Sequence, residues 1–526
     1  TKFGYDDENR PTSLTYSIGA TTIGQSTTTI DKLNRTTFSA VKLGSKTFTS
    51  EYHFAAGGYG TGSVTNLVAS ITQPGCNCGY GYDDNGNIAS ATLNGKWTGY
   101  TYDALGQLIQ VNDHSDTRSG KNGTTWKYTY DLGGNILKKE RFAYADTTTP
   151  LETVTYEYGD ANWRDKLTAV NGSTIRYDAI GNPLNDGTWT YTWQNGRQLQ
   201  KMQKSGVTAE FVYNADGLRV QKTVNGVVTG YTLHGKNVVH MTKGNDELHF
   251  FYDAQNRPAM VVYNGAAYAY VKSLQGDIVA ILDENGNTVV SYGYDAWGAP
   301  LWCTGELAET LGTVQPFRYR GYVFDEETGL YYLRSRYYNP WWGRFVNADA
   351  EIAVEAKLWD AKLFLYCANN PVRYTDDGGN SFWDVLADCG KALLVAAVVV
   401  AVVAVVIAAT GGGGGFALAA AGGEIISGAA VADAAMTTAV AAEAAGASLM
   451  FASKLGKEYE DGNYSNHTKL NNVSENEKFE EALRRLKRDY NLNLNRGQRR
   501  RLHDEITGMG YSILEIVAEG WAMFGG

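Results

Sequence analysis

From one end of the chain to about residue 300, short runs of alternating apolar and polar positions are broken by a tyrosine–aspartate pair, a glycine or asparagine turn and an apolar step. The pairs are Tyr5-Asp6, Tyr82-Asp83, Tyr102-Asp103, Tyr130-Asp131, Tyr177-Asp178, Tyr252-Asp253 and Tyr294-Asp295, with a softened copy at Tyr213-Asn214. In the unit from Tyr102 to Leu108 the aromatic ends one strand, Asp103 and Gly106 shape a tight reversal, and Leu108 opens the next strand, with Ile109 and Val111 beyond it. Each unit predicts a hairpin. A spacing of about twenty residues or a small multiple of it marks a repeat architecture, in which successive hairpins extend one long antiparallel sheet. The pairs themselves are read as architectural: rings stack between hairpins, carboxylates cap turns, and none is catalytic.

Past residue 380 the pattern changes abruptly. Residues 392–409 form an unbroken run of Ala, Val, Leu and Ile, long enough to cross a bilayer, which needs about 18 to 20 apolar residues. Five glycines, Gly411 to Gly415, follow, and the Ala- and Gly-rich stretch to Met450 carries Glu424, Asp433 and Glu443. Three readings stand for this region: a translocation segment, a pore-forming element, or a buried helical hairpin that acts as a hydrophobic packing element inside the shell formed by the hairpins. From residue 454 onward helical spacing takes over. Ser474 and Glu477 form a capping box ahead of a stripe of Phe479, Leu483, Leu486 and Tyr490; a second helix is predicted over about 496–507 and a third from Ser512.

Composition agrees with a mainly β fold. With 60 Gly, 35 Tyr and 12 Trp against 9 Pro in 526 residues, strands and turns are favoured, and so long a sheet must coil or close into a shell to manage its edges. The formal net charge of -10 argues against nucleic-acid binding by the whole chain and leaves room for a local basic patch. The five cysteines are few and odd in number, and Cys76-Asn-Cys78 is too closely spaced for an ordinary disulfide framework. No metal site or cofactor is expected. Because Thr1 falls inside a repeat unit, the sequence is read as a piece of a longer protein, or as one whose export signal lies upstream.

The most specific segment is residues 315–380: it contains Pro316-Phe-Arg-Tyr-Arg-Gly-Tyr-Val-Phe-Asp325, Leu330-Tyr-Tyr-Leu-Arg-Ser-Arg-Tyr-Tyr-Asn-Pro340, Gly343-Arg-Phe-Val-Asn-Ala-Asp349 and Asn369-Asn-Pro-Val-Arg-Tyr-Thr-Asp376. With the upstream Tyr-Asp units, it resembles the core of the Rhs (rearrangement hotspot) and YD-repeat family. The resemblance implies a hollow, cocoon-like β-hairpin shell around a variable C-terminal segment, usually a toxin. The same plan is shared by bacterial Rhs proteins, the C component of ABC toxins and teneurins.

In several bacterial members the core plugs the shell and cuts the chain behind itself with two aspartates and an arginine. Carried over by position, these fall on Asp349, Asp376 and Arg344, and the scissile bond on Asn380-Ser381. The sequence departs from the pattern at Ala350, where proline is usual, and at Asp377, Gly378, Gly379 and Asn380, where a proline, glycine and leucine stretch is usual. The competing reading makes both aspartates turn caps.

Four regions follow: a repeat shell over 1–314, the core over 315–380, the apolar helical segment over 381–453 and a small helical domain over 454–526. In the last, Arg501, His503 and Asp504 lie in a basic region spanning 484–505, suited to nucleic-acid phosphates with His503 moving a proton. The Leu-His-Asp-Glu-Ile run there resembles tails of other Rhs-type toxins. A plainer reading gives a structural histidine beside a solvated arginine face. The expected function is a secreted or cell-surface Rhs-type polymorphic toxin for interbacterial competition, its tip a nuclease and its partner an immunity protein, with 392–409 meeting the target-cell membrane. A pore-forming effector, or a surface protein binding carbohydrate for adhesion with 392–409 as anchor, are the alternatives.

Overall fold

The computed structural model describes residues 2–57, 64–350, 362–376, 378–379 and 383–384, and scattered residues between 479 and 503. The chain divides into two compact units, Thr1–Ala392 and Leu393–Gly526. The expected apolar segment over 381–453 lies outside the described residues, apart from the short strand Trp383–Asp384. Among the described residues no helix is long and apolar enough to cross a membrane.

The first unit is a meander of antiparallel strands in strict chain order. Among the described residues one sheet of 15 strands runs from Lys2–Tyr5 to Ser173–Thr174, and a second of 14 strands runs from Arg176–Tyr177 to Pro300–Thr304. The Tyr-Asp units explain the meander. At Asp103 one carboxylate oxygen accepts the Leu105 and Gln107 amides, both at 2.9 Å, and the other accepts Gln107 Nε2 at 2.7 Å. Asp83, Asp131, Asp178 and Asp283 repeat this arrangement, and Asn214 makes the two backbone bonds in the same way.

Six of the paired tyrosines tie their hairpin to the one before. Tyr82 OH donates to the Val68 carbonyl, Tyr102 OH to Ile88, Tyr130 OH to Leu108, Tyr213 OH to Leu199, Tyr252 OH to Val238 and Tyr294 OH to Ile278, all at 2.6–2.9 Å. Pairing register slips at these same tyrosines, a bulge at each. Bulges strengthen local twist, so a bulge in every repeat makes the sheet coil. Hairpins between the units close on Asn-Gly pairs such as Asn225-Gly226, whose φ of 48° and 86° are the left-handed values a two-residue turn requires.

Two kinds of burial hold the sheets together. Leu14, Tyr16, Leu43 and Ile71 of the first pack directly on Met260, Val271 and Leu282 of the second, and Tyr16 OH reaches the Tyr252 carbonyl at 2.8 Å. Elsewhere residues 315–376 come between them. Tyr319, Tyr331, Tyr338, Phe345 and Tyr366 share a core with Ile88, Leu108, Trp126 and Ile136 of the first sheet, while Leu330, Tyr332, Tyr337 and Val346 share one with Trp189, Leu199 and Phe211 of the second. The resemblance's fold, a Tyr-Asp hairpin shell closed on a core segment, is the fold observed.

Candidate active site

The core segment is fixed by contacts to the repeat turns themselves. Asn369 Nδ2 donates to Gln107 Oε1 at 2.9 Å and to the Gly134 carbonyl at 2.6 Å; Asn370 Nδ2 donates to Asn87 Oδ1 at 3.1 Å and to the Gly106 carbonyl at 2.9 Å. Tyr338 OH and Tyr331 OH donate to the Trp297 and Gly298 carbonyls, each at 2.7 Å. A buried ion cluster adds a further anchor, with Asp325 held by Arg219 at 2.6 and 3.0 Å and by Lys222 at 3.0 Å.

On this frame Asp349 and Asp376, twenty-seven positions apart in the sequence, meet at one guanidinium. Arg336 Nη2 lies 3.0 Å from Asp349 Oδ2 and 3.4 Å from Asp376 Oδ2. All three residues are buried. Arg336 also donates through Nε to the Gly379 carbonyl and through Nη1 to the Leu363 carbonyl at 3.1 Å, and its plane stacks 3.5 Å from the Phe345 ring centre. Burial pulls the Arg336 pKa below its ordinary value even against the two carboxylates. It still stays cationic at physiological pH.

The second aspartate carries a turn as well. Asp376 Oδ1 accepts the Gly379 amide at 2.7 Å and the Gly378 amide at 3.3 Å, while the Asp376 amide donates to Tyr322 OH at 2.8 Å. The chain entering the expected cleavage position is therefore held on the dyad from both sides, by Asp376 and by Arg336. Asn380 and Ser381 lie outside the described residues.

The arginine is a correction: Arg336, and not Arg344, stands between the aspartates. Arg344 is spent on the first sheet, with Nη1 2.7 Å from Tyr158 OH and 3.4 Å from Asn135 Oδ1, and Nη2 2.7 Å from the Asp165 carbonyl. The reason is strand alternation in the small sheet formed by Val323–Asp325, Leu330–Tyr332, Tyr337–Asn339 and Arg344–Phe345. Neighbouring residues on a strand point to opposite faces, so Arg344 faces the shell while Phe345 stacks under Arg336.

The second unit is described at few positions. Phe479, Leu483, Leu486 and Leu502 are buried and Arg484 and Lys487 are exposed, as the helical stripe predicts. The His503 ring meets Phe479 edge-on at 5.1 Å. The capping residues missed in the sequence are Asn495 and Gln498: each side chain accepts the other's backbone amide at 3.0 Å, opening the second helix. Arg501 and Asp504 lie outside the described residues.

Cys76 and Cys78 are buried free thiols with sulfurs 3.9 Å apart, and Cys303 is also unbridged.

Residues 93–372, more than half the chain, match the family described as teneurin YD-shell. The chain belongs to the teneurin YD-shell family. It is similar to the tRNA3(Ser)-specific nuclease WapA of Bacillus spizizenii, 36% identical over 292 residues that cover 54% of this chain and 12% of WapA. Toxin protein Tse5 of Pseudomonas aeruginosa is 26% identical over 328 residues, covering 48% of this chain and 25% of Tse5. Among solved structures, the TcdB2–TccC3–Cdc42 crystal structure shares the fold, with a TM-score of 0.52 and 18% identity over 72% of this chain and 22% of that one. The chain thus spans a small part of the length of the YD-shell proteins it matches.

Proposed function

We propose that this chain is the shell and cargo portion of an Rhs-type polymorphic toxin, exported or cell-associated, whose core releases a C-terminal effector by cutting the chain. The observation that carries the proposal is the junction of Asp349, Asp376 and Arg336 at the Gly379 backbone, two buried carboxylates on one cation where the core ends. In this reaction one carboxylate takes a proton from the attacking water while the other gives one to the leaving nitrogen. Water adds to the Asn380 carbonyl carbon, the C–N bond to Ser381 breaks, and a new carboxylate and a new amine result. Arg336 positions both aspartates and the strand that feeds the bond.

The name of Tse5 supports a toxin reading, and that of WapA supports a nuclease tip in which His503, Arg501 and Asp504 act on nucleic acid bound along 484–505. An immunity protein is then the natural partner in the producing cell. Residues 392–409 carry the effector into the target membrane.

Intact mass of the purified full chain tests the core. Breakage after Asn380 that Asp349→Asn, Asp376→Asn or Arg336→Lys each stops is the expected result; an intact wild-type chain, or one that Asp349→Asn still cuts, overturns it. Tightly induced expression of residues 381–526 in bacteria tests the effector. Growth arrest with degraded RNA or DNA, relieved by His503→Ala, is expected; depolarisation without degradation replaces the nuclease with a pore, and normal growth removes the toxin reading.

A further inference from the structure

A three-residue cluster on the second sheet is used neither by the core junction nor by the basic tip. His240 lies on the strand Asn237–Lys243 and Glu247 and His249 on Asp246–Tyr252, two strands joined by a tight turn with Gly244 at a φ of 61°. His240 is paired directly across from His249, and Glu247 sits two residues before His249, so all three side chains share one face. The other face is committed: Met241, Leu248 and Phe250 are buried in the core, and a slip of one residue would exchange the faces. The register therefore fixes the three polar groups outward.

The donor atoms converge. His240 Nε2 lies 3.1 Å and His249 Nε2 3.4 Å from the same oxygen, Glu247 Oε1, and all three donor atoms lie within 4.8 Å of one another. The rings stack with centres 4.6 Å apart. A tetrahedral zinc ion with ligands at about 2.0–2.1 Å holds its donor atoms roughly 3.3 Å apart, so both histidine–glutamate distances already suit a shared cation. Asn264 positions the glutamate by accepting the Glu247 amide at 2.8 Å.

We propose that His240, Glu247 and His249 bind a borderline divalent cation of the zinc type, which braces two neighbouring strands and keeps at least one coordination position open. Two imidazoles and one carboxylate select zinc, nickel or copper over the hard cations magnesium and calcium, which take oxygen ligands. His240 and His249 are half-buried and Glu247 is exposed, on a hairpin whose opposite face makes the core, so they can be replaced without disturbing packing.

The test uses the full chain, stripped with chelator and titrated with Zn2+ alone, then with Co2+ as a spectroscopic probe. One equivalent of Zn2+ should bind, Co2+ should give ligand-field bands of a nitrogen and oxygen site, and Zn2+ should raise the melting midpoint. His249→Ala or His240→Ala should weaken binding by at least about 100-fold, more than the loss of an outer-shell partner costs, and Glu247→Gln should weaken it too. Metal-free melting of each variant should match wild type, which establishes that it folds. Equal Zn2+ binding by the double variant His240→Ala/His249→Ala and by wild type overturns the site, as does no binding by either, a hydrogen-bonded surface cluster only. Equal binding of Ca2+ overturns the cation class.

Discussion

Asp325→Asn is a substitution with a magnitude that follows from the geometry. The Asp325 carboxylate is fully buried, bound by both terminal nitrogens of Arg219 and by Lys222, and Lys222 in turn reaches Glu327 at 2.7 Å. Burial alone would raise the carboxyl pKa; Arg219 and Lys222 reverse that and hold it below the ordinary value. An amide of the same shape removes the charge and turns an N–H toward two cationic donors, leaving the Arg219 guanidinium uncompensated among Phe211, Tyr231 and Tyr332. Breaking a buried pair from one side costs about 3–5 kcal/mol. If Thr1–Ala392 melts as one unit, its unfolding entropy is about 0.8 kcal/mol per kelvin, so the midpoint should fall by about 4–6 °C.

Scanning calorimetry of the purified full chain at neutral pH reads this directly. The pH dependence has a definite sign. The folded pKa of Asp325 lies below its unfolded value near 3.9, so its stabilisation is present above about pH 4 and is lost as pH falls through the folded pKa. Lys222 is the opposite case: burial lowers its pKa but Asp325 raises it overall, so its contribution is present below about pH 10.5 and is lost as pH rises through the folded pKa. The gap between wild type and variant should stay flat between those limits and narrow in acid. A midpoint change under about 1 °C at neutral pH, well below that converted loss, would show that the cluster carries no stability.

Two further substitutions examine the repeat and the seat of the core. Asp103→Ala should cost about 2 kcal/mol, because Nε2 of the buried Gln107 loses its acceptor and two amides lose theirs, whereas Asp103→Asn should cost under about 1 kcal/mol, as Asn214 already makes both backbone bonds; urea midpoints of the two variants measure the difference, and equal losses would refute the turn argument. Gly298→Ala should cost more than about 2 kcal/mol, since Gly298 has a φ of 90° and a Cβ there would stand 2.6 Å from Tyr319 Cδ1. The observable is the melting midpoint together with mass analysis for chain cleavage, and a wild-type midpoint would contradict the close approach.

How much of this was legible in the residues differs from one element to the next. The Tyr-Asp units announced hairpins in series, since aspartate two residues ahead of an amide and four ahead of another is a local device that needs no distant partner. The helical stripe at Phe479, Leu483 and Leu486 was equally local. The tyrosine hydroxyl reaching back to the previous hairpin was not, although it explains why that residue is tyrosine and not phenylalanine: its acceptor lies on a different strand. Nor was the His240–His249 pairing, which exists only because the strands pair in this register.

The amino-acid order alone determined the hairpins and the antiparallel meander, because turns and alternation depend on neighbours within a few residues, whereas Asp349 and Asp376 were singled out only through the family resemblance. The resemblance pointed to Arg344, and nothing local marked Arg336, eight residues earlier in the same aromatic-rich run and equally buried. Tertiary structure chose, through the register of four short strands that turned one guanidinium toward the shell and the other toward the carboxylates. Buried charge goes where a partner can be brought to it, and that partner arrives through the fold.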